Sequence, residues 1–322
     1  MTENTERLDA IRHDLLTLPA LRDWPEIEGL VRRPTRPKSR HLWDLVDDAR
    51  RAVRGPAEHL QPISGALFAL MYAIHLVDDL VDEDPDGWQH RSSVGATANC
   101  AAALQGAAAE LIARSSLPPA TQALIQGRLA RAATETALGQ HLDGLDRDSE
   151  DEYWRVVRLK TPPLFRCALA CGALGAGGSV EQADALEALG DDIGEIVQIS
   201  DDLGDAMARP AAPDWQRRAT NLPILFARVA EHPERETFDT LRTQASDPEV
   251  LEQLQAMLLR SGAVSYCAYR LVEVERRVAT RPFDGLDLDG DVLREVVADY
   301  LRPVHALLQS VGFDPALRAA RG

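Results

Sequence analysis

The chain has 322 residues, 45% hydrophobic and 27% charged, a globular balance that excludes a disordered or fibrous polymer. A formal net charge of −16 and a pI near 4.9 argue against binding to nucleic acid or to anionic membrane surfaces. Aromatic residues make up only 5% while Ala and Leu dominate, which favours helix over sheet.

In chain order, apolar periodicity punctuated by Pro and Gly predicts helices over residues 6–16, 41–53, 63–83, 94–115, 120–142, 152–175, 180–208, 215–230, 248–260, 263–279 and 291–310. No stretch alternates at period two, no repeat of 20–50 residues is visible and no low-complexity linker divides the chain. The expectation is an all-α, single domain over residues 1–322. The longest apolar run, 63–77, is too short for a transmembrane helix and ends in acids, so it reads as a buried helix. The polar, acidic start lacks a leader pattern, and Cys100, Cys167, Cys171 and Cys267 read as buried thiols of a reducing, cytoplasmic setting.

Two motifs are set aside on context. The glycines at 172, 175, 177 and 178 close a helix instead of following a strand, so they read as a C-terminal turn. Asp287, Asp289 and Asp291 lack the Gly and Glu of a calcium loop and read as a helix entry. Asp47-Asp48 lacks a third acid at helical spacing, is flanked by arginines, and reads as surface.

Two carboxylate clusters stand out. Asp78-Asp79-Leu80-Val81-Asp82 ends the most apolar helix, and Asp201-Asp202-Leu203-Gly204-Asp205 ends another long one. Within each, the first and last aspartates are four apart and share one helix face. Like charges at that spacing repel, and the helix C-terminus is already partly negative, so a cation is called for. Oxygen-only ligands suit Mg²⁺ bridging to phosphate. Such ions neutralise a diphosphate as leaving group, and Lys and Arg donors complete the cradle. Of 35 basic residues only Lys38 and Lys160 are lysine, which marks both positions for a compact ammonium.

At these residues the chain resembles the trans-isoprenyl diphosphate synthases, the polyprenyl synthetase family. The resemblance runs from Lys38 to the final helix and rests chiefly on the two Asp-Asp-x-x-Asp motifs, 123 residues apart. It implies about ten to thirteen helices around a central cavity, a homodimer, and Mg²⁺, with three ions when diphosphate is bound. It also implies condensation of an allylic diphosphate with isopentenyl diphosphate by ionisation, condensation and elimination. Carried over by position, Asp78, Asp82 and Asp201 are the metal ligands, supported by Asp205. Lys160-Thr161 matches the pair whose lysine holds the allylic diphosphate, and Gln198 matches the Gln before the second motif. Lys38 has the spacing of the isopentenyl diphosphate lysine, and Arg40 and Arg91 resemble diphosphate-binding arginines.

The departures cluster in the isopentenyl diphosphate pocket. Arg40 comes one place early after Lys38, and His90-Arg91 stands for an Arg-Arg pair further from the first motif than usual. A family lysine aligns with Ala219 beside Arg217 and Arg218, and Asn221-Leu222-Pro223 replaces Thr-Leu-Pro. Two alternatives therefore stay open: a terpene-synthase-like cyclase ionising one prenyl diphosphate, and a non-catalytic subunit of a heteromeric synthase. For an elongating enzyme, the wall running back from Asp78 comprises Ile74, Ala73, Met71 and Leu70. The family's aromatic floor positions hold Ile74 and Ala73, which predicts products longer than fifteen carbons, twenty favoured, stopped near Leu67 or Phe68 or by another helix.

Overall fold

The computed structural model describes residues 3–33, 40–145, 149–215 and 221–310. The all-α expectation holds, with no strand among the described residues. The helices are α1 (Glu3–Leu16), α2 (Pro25–Val31), α3 (Asp44–Val53), α4 (Leu60–Val81), α5 (Val94–Ala113), α6 (Pro119–Asp143), α7 (Glu150–Lys160), α8 (Pro162–Gly175), α9 (Val180–Met207), α10 (Leu222–Val229), α11 (Arg235–Leu241), α12 (Pro248–Arg260), α13 (Ala263–Ala279) and α14 (Gly290–Ser310). Three differences from the sequence reading have local causes. The seven-residue α2 and α11 are too short to display a helical period. The helix expected over 152–175 breaks at Thr161, because Pro162 and Pro163 have no N–H to donate to the preceding turn.

The chain divides into two compact units, the first comprising Met1–Ala137, Pro163–Asp191 and Pro282–Leu293. Its centre is α4, which packs along α5 and also touches α1 and α3. Ile63, Leu67, Phe68 and Leu70 are at most 2% exposed, and burying such side chains contributes roughly 1.5–3 kcal/mol each. Phe68 sits between Trp43, at 5.5 Å, and Tyr72, at 4.5 Å between ring centroids. Among the described residues α4 alone is long and apolar enough to cross a membrane, and 61% of its most apolar window is buried within the protein. Arginines tie α6, α8 and the first half of α9 together: Arg128 of α6 bonds Asp184 and Glu187, and Arg166 of α8 bonds Glu135 of α6 and lies 3.5 Å from Asp191.

Two of the motifs set aside are structural. The glycines after α8 form a closing turn, with Gly178 N–H donating to Ala173 O at 2.8 Å. Asp289 caps α14, accepting from Val292 N–H at 3.3 Å. Asp48 overturns the surface reading. It is 1% exposed, on the α3 face that also buries Leu45, Ala49 and Ala52.

The second unit comprises Leu138–Pro162, Asp192–Arg281 and Arg294–Gly322. Here α10 touches α7, α11, α12 and α13. On α13, Arg270 and Arg277 reach Glu195 of α9 at 2.7 and 2.6 Å, and Arg281 just beyond reaches Asp192 at 2.6 Å. All four cysteines are free and buried.

Candidate active site

In the first unit, the apolar run of α4 carries the first acidic cluster to its C-terminus. Asp82 is the C-cap residue and donates its N–H to Asp78 O at 2.9 Å. Asp78 and Asp82 are both half-buried. Asp79 beside them is half-buried too, and burial pushes its carboxyl up, against a backbone N–H bond from Trp88 that favours the charged form. The segment that follows is pinned back onto the helix end. Gln89 Nε2 donates to the carbonyls of Asp79 and Asp84 at 3.1 and 3.0 Å, satisfying groups that a helix end leaves without partners. Trp88 is 8% exposed, and the Arg33 guanidinium lies 5.7 Å from its ring. Arg91 follows this 3₁₀ turn and is exposed.

Of the wall residues, Leu70 and Ala73 are buried, and Met71 and Ile74 are half-buried. Arg40 lies just before α3, its Nη2 2.6 Å from Asp48 Oδ2. Lys38 and Arg218 lie outside the described residues.

The second unit gathers the other predicted residues around the C-terminal half of α9. Asp201 and Asp205 are half-buried, whereas Asp202 between them is 3% exposed. Asp202 is the hub of a hydrogen-bond network. Its Oδ2 accepts from Tyr153 OH and from Leu222 N–H, both at 2.6 Å, and its Oδ1 accepts from Gln198 Nε2 at 2.7 Å. Burial raises its carboxyl to about 7 despite these three donors. Gln198, so oriented, accepts from Thr161 Oγ1 at 2.7 Å. One chain of bonds thus joins the Lys160-Thr161 pair to the second acidic cluster. Asn221 extends it: its Nδ2 donates to Asp202 O at 2.7 Å and to Asp214 at 3.2 Å, while its Oδ1 caps α10 by accepting from Ile224 N–H. A threonine hydroxyl has one proton and could not donate both bonds, which gives the Asn at this place a physical use.

Lys160 ends α7, and its Nζ sits 2.7 Å from Asp143 Oδ2 at the end of α6. Two glycines allow close approach around it, Gly139 of α6 against α7 and Gly194 of α9 against the start of α8. A Cβ on Gly139 would lie 2.6 Å from the Leu159 carbonyl carbon, and one on Gly194 would lie 2.6 Å from Pro162 Cα. Sequence reasoning missed Asp143, Tyr153 and the hub role of Asp202. The one local signal was the glycine four residues before Asp143, on the same helix face.

Chemically, the first and last aspartates of each cluster offer carboxylate oxygens alone, which suits a hard divalent cation. No closed group of three or more His, Cys, Asp or Glu occurs among the described residues. A cation held here would complete its shell with water or phosphate oxygens, the habit of Mg²⁺.

Asp48 carries a pH signature. Burial, only partly offset by Arg40 and Arg51, raises its carboxyl to about 6. In the folded chain it therefore keeps a proton that the unfolded chain releases near pH 4. The stability that this proton carries is complete below about pH 4 and is lost as pH rises through about 6. Urea unfolding between pH 4 and 7 is expected to show a shallower decline for Asp48→Asn than for the wild type. Identical slopes would mean that this carboxyl titrates normally.

Residues 44–258, about two-thirds of the chain, match the polyprenyl synthetase family, and the chain belongs to that family. It is 29% identical over 186 residues to the geranylfarnesyl diphosphate synthase of Aeropyrum pernix, covering 54% of this chain and 58% of that protein. It is also 29% identical over 199 residues to the geranylgeranyl diphosphate synthase of Mycobacterium tuberculosis, covering 57% and 56%. The chain thus spans a little over half the length of these two relatives. In fold it is similar to a polyprenyl synthetase of Streptomyces coelicolor, with a TM-score of 0.78 at 20% identity over 94% of this chain and 97% of that one. A geranylgeranyl pyrophosphate synthase of Corynebacterium glutamicum, in complex with isoprenyl diphosphate and magnesium, gives a TM-score of 0.74 at 18% identity over 93% and 97%.

Proposed function

We propose that the chain is a Mg²⁺-dependent trans-prenyltransferase that joins an allylic prenyl diphosphate to isopentenyl diphosphate. One observation carries the reading: within the span that matches the family, each Asp-Asp-x-x-Asp cluster ends with half-buried aspartates four apart on a helix. Asp78 and Asp82 of α4, with Asp201 and Asp205 of α9, are the residues to hold Mg²⁺, three ions when diphosphate is present. Bound there, the metal neutralises the diphosphate as leaving group.

The chain's own groups do the rest. Lys160 and Arg91 donate to the allylic diphosphate, and Lys38, Arg40 and Arg218 to isopentenyl diphosphate. Asp143 holds the Lys160 ammonium in place. Gln198 and Thr161, locked by Asp202, present fixed dipoles beside it. Residues 1–322 act as one isoprenoid-synthase-like domain, in a cytoplasmic homodimer.

The test is incubation with dimethylallyl, geranyl, farnesyl and geranylgeranyl diphosphates, each with and without isopentenyl diphosphate, in Mg²⁺. Longer diphosphates formed only when isopentenyl diphosphate is present support the reading. Hydrocarbons or alcohols formed without it mean a cyclase, and inactivity in every mixture means a subunit that needs a partner.

For product length, twenty carbons is the proposal, with half-buried Ile74 and Met71 on the wall that meets the growing chain. One five-carbon extension needs about one helical turn, roughly 5 Å. Ile74→Phe is expected to shorten the products by one such unit in a chromatographic profile. An active variant with an unchanged profile would remove α4 as the ruler.

A further inference from the structure

The inference concerns Asp48 and rests on the prenyltransferase reading. Its place in α3 is a core position, with Leu45, Ala49 and Ala52 buried on the same face. Stability does not account for a carboxylate there, because a buried ion pair seldom outperforms apolar packing of similar volume. Both oxygens are engaged by guanidinium groups: Oδ2 by Arg40 Nη2 at 2.6 Å and Oδ1 by Arg51 Nη1 at 3.2 Å. The two arginines are unequal. Arg51 lies one turn along the same helix, its side chain 40% exposed, and its own helix already orients it. Arg40 belongs to no helix, and its side chain is 21% exposed.

Contacts at both its base and its tip hold Arg40. At its base, the next residue, His41, stacks on Trp43 at 4.2 Å, and its N–H donates to Asp44 Oδ2 at 2.9 Å. At its tip, Asp48 takes one arm of the guanidinium. A planar group with five donors in a rigid fork is aimed as a whole once one arm is fixed. The departures from the family pattern fall here too, with Arg40 one place early after Lys38. Asp48 is placed to anchor the fork at this position.

We propose that Asp48 is a positioning residue for the isopentenyl diphosphate subsite, acting through its charge-assisted bond to Arg40. Asp48 itself does not touch substrate.

Calorimetric titration of isopentenyl diphosphate into the full-length protein, beside steady-state kinetics with geranyl diphosphate and Mg²⁺, tests this. Asp48→Asn is expected to weaken isopentenyl diphosphate binding about tenfold, the scale of one charge-assisted hydrogen bond. The KM for isopentenyl diphosphate rises in parallel, while kcat and the KM for geranyl diphosphate stay within about twofold. Asp48→Leu, an apolar replacement that keeps the core filled, shows the same weakening, and a cooperative thermal transition of the same sample shows that it is folded. In an Arg40→Ala background, Asp48→Asn adds no further loss.

Wild-type affinity in both Asp48 variants overturns the proposal, as does an equal loss from Asp48→Asn with Arg40 already removed. A wild-type protein that binds and consumes no isopentenyl diphosphate removes the prenyltransferase reading itself, and this proposal with it. That outcome is visible before any variant is made.

Discussion

Asp78→Ala and Asp201→Ala are each expected to lower prenyltransferase turnover by about three orders of magnitude or more, because a developing diphosphate charge would lose a metal clamp worth several kcal/mol. The fold should survive both changes. Each carboxylate is half-buried. Asp78 also lies in the last turn of α4, where the helix end is already negative. Removing a negative charge there is neutral or stabilising, by about 0.3–1 kcal/mol. The measurement is turnover in saturating Mg²⁺ beside thermal unfolding of the same samples. Wild-type turnover in both variants would end the enzyme reading, and a collapse of Tm would make these aspartates structural. Under the same proposal, recovery of part of the activity at raised Mg²⁺ is expected for Asp205→Ala, because the supporting aspartate's loss would weaken the proposed metal site without dismantling it.

The elements legible in the sequence are those whose signal is local and long. The apolar run ending in acids became α4, and the second such run became the C-terminal half of α9. Two helix starts were legible where the side chain caps its own helix: Ser93 accepts from Ala96 N–H and Asp247 from Glu249 N–H. The break at Thr161 was also written locally, in two consecutive prolines, but a continuous apolar pattern over 152–175 masked it. What spacing alone does not carry is direction. In Asp201-Asp202 the two carboxylates are adjacent and chemically identical, and on a helix they point about 100° apart. Which one enters the core depends on Tyr153, 49 residues earlier, and on the backbone of Leu222, 20 residues later. Asp47-Asp48 poses the same problem at α3. There the inward member was misread: Arg51 one turn along the helix looked like a surface partner, and the second partner, Arg40, precedes the helix. The Lys160–Asp143 pair spans two helices and left no pattern beyond a glycine.

That directional contrast gives the largest stability effect expected in the molecule. Asp202→Ala removes the acceptor for Tyr153 OH, Leu222 N–H and Gln198 Nε2 at once, in a place where Asp202 is 3% exposed and Tyr153 is 1% exposed. Each stranded donor costs about 1–3 kcal/mol, so the loss is roughly 3–5 kcal/mol even if water reaches one of them. That is a large fraction of the whole stability of a typical domain, about 5–15 kcal/mol. Asp202→Asn keeps the shape and retains one carbonyl acceptor, but its amide N–H₂ meets donors, so an intermediate loss of about 2 kcal/mol is expected. Tyr153→Phe removes one donor together with its need for an acceptor and should cost the least, about 1 kcal/mol. The order Asp202→Ala, then Asp202→Asn, then Tyr153→Phe is read from urea midpoints at constant m-value. Equal stability of Asp201→Ala and Asp202→Ala would contradict the assignment of adjacent aspartates to opposite duties. Under the proposed function, loss of Asp201 is expected to leave a folded, inactive protein; Asp202 joins α9 to α7 and α10, and its loss is expected to loosen the frame on which Gln198 and Thr161 are held.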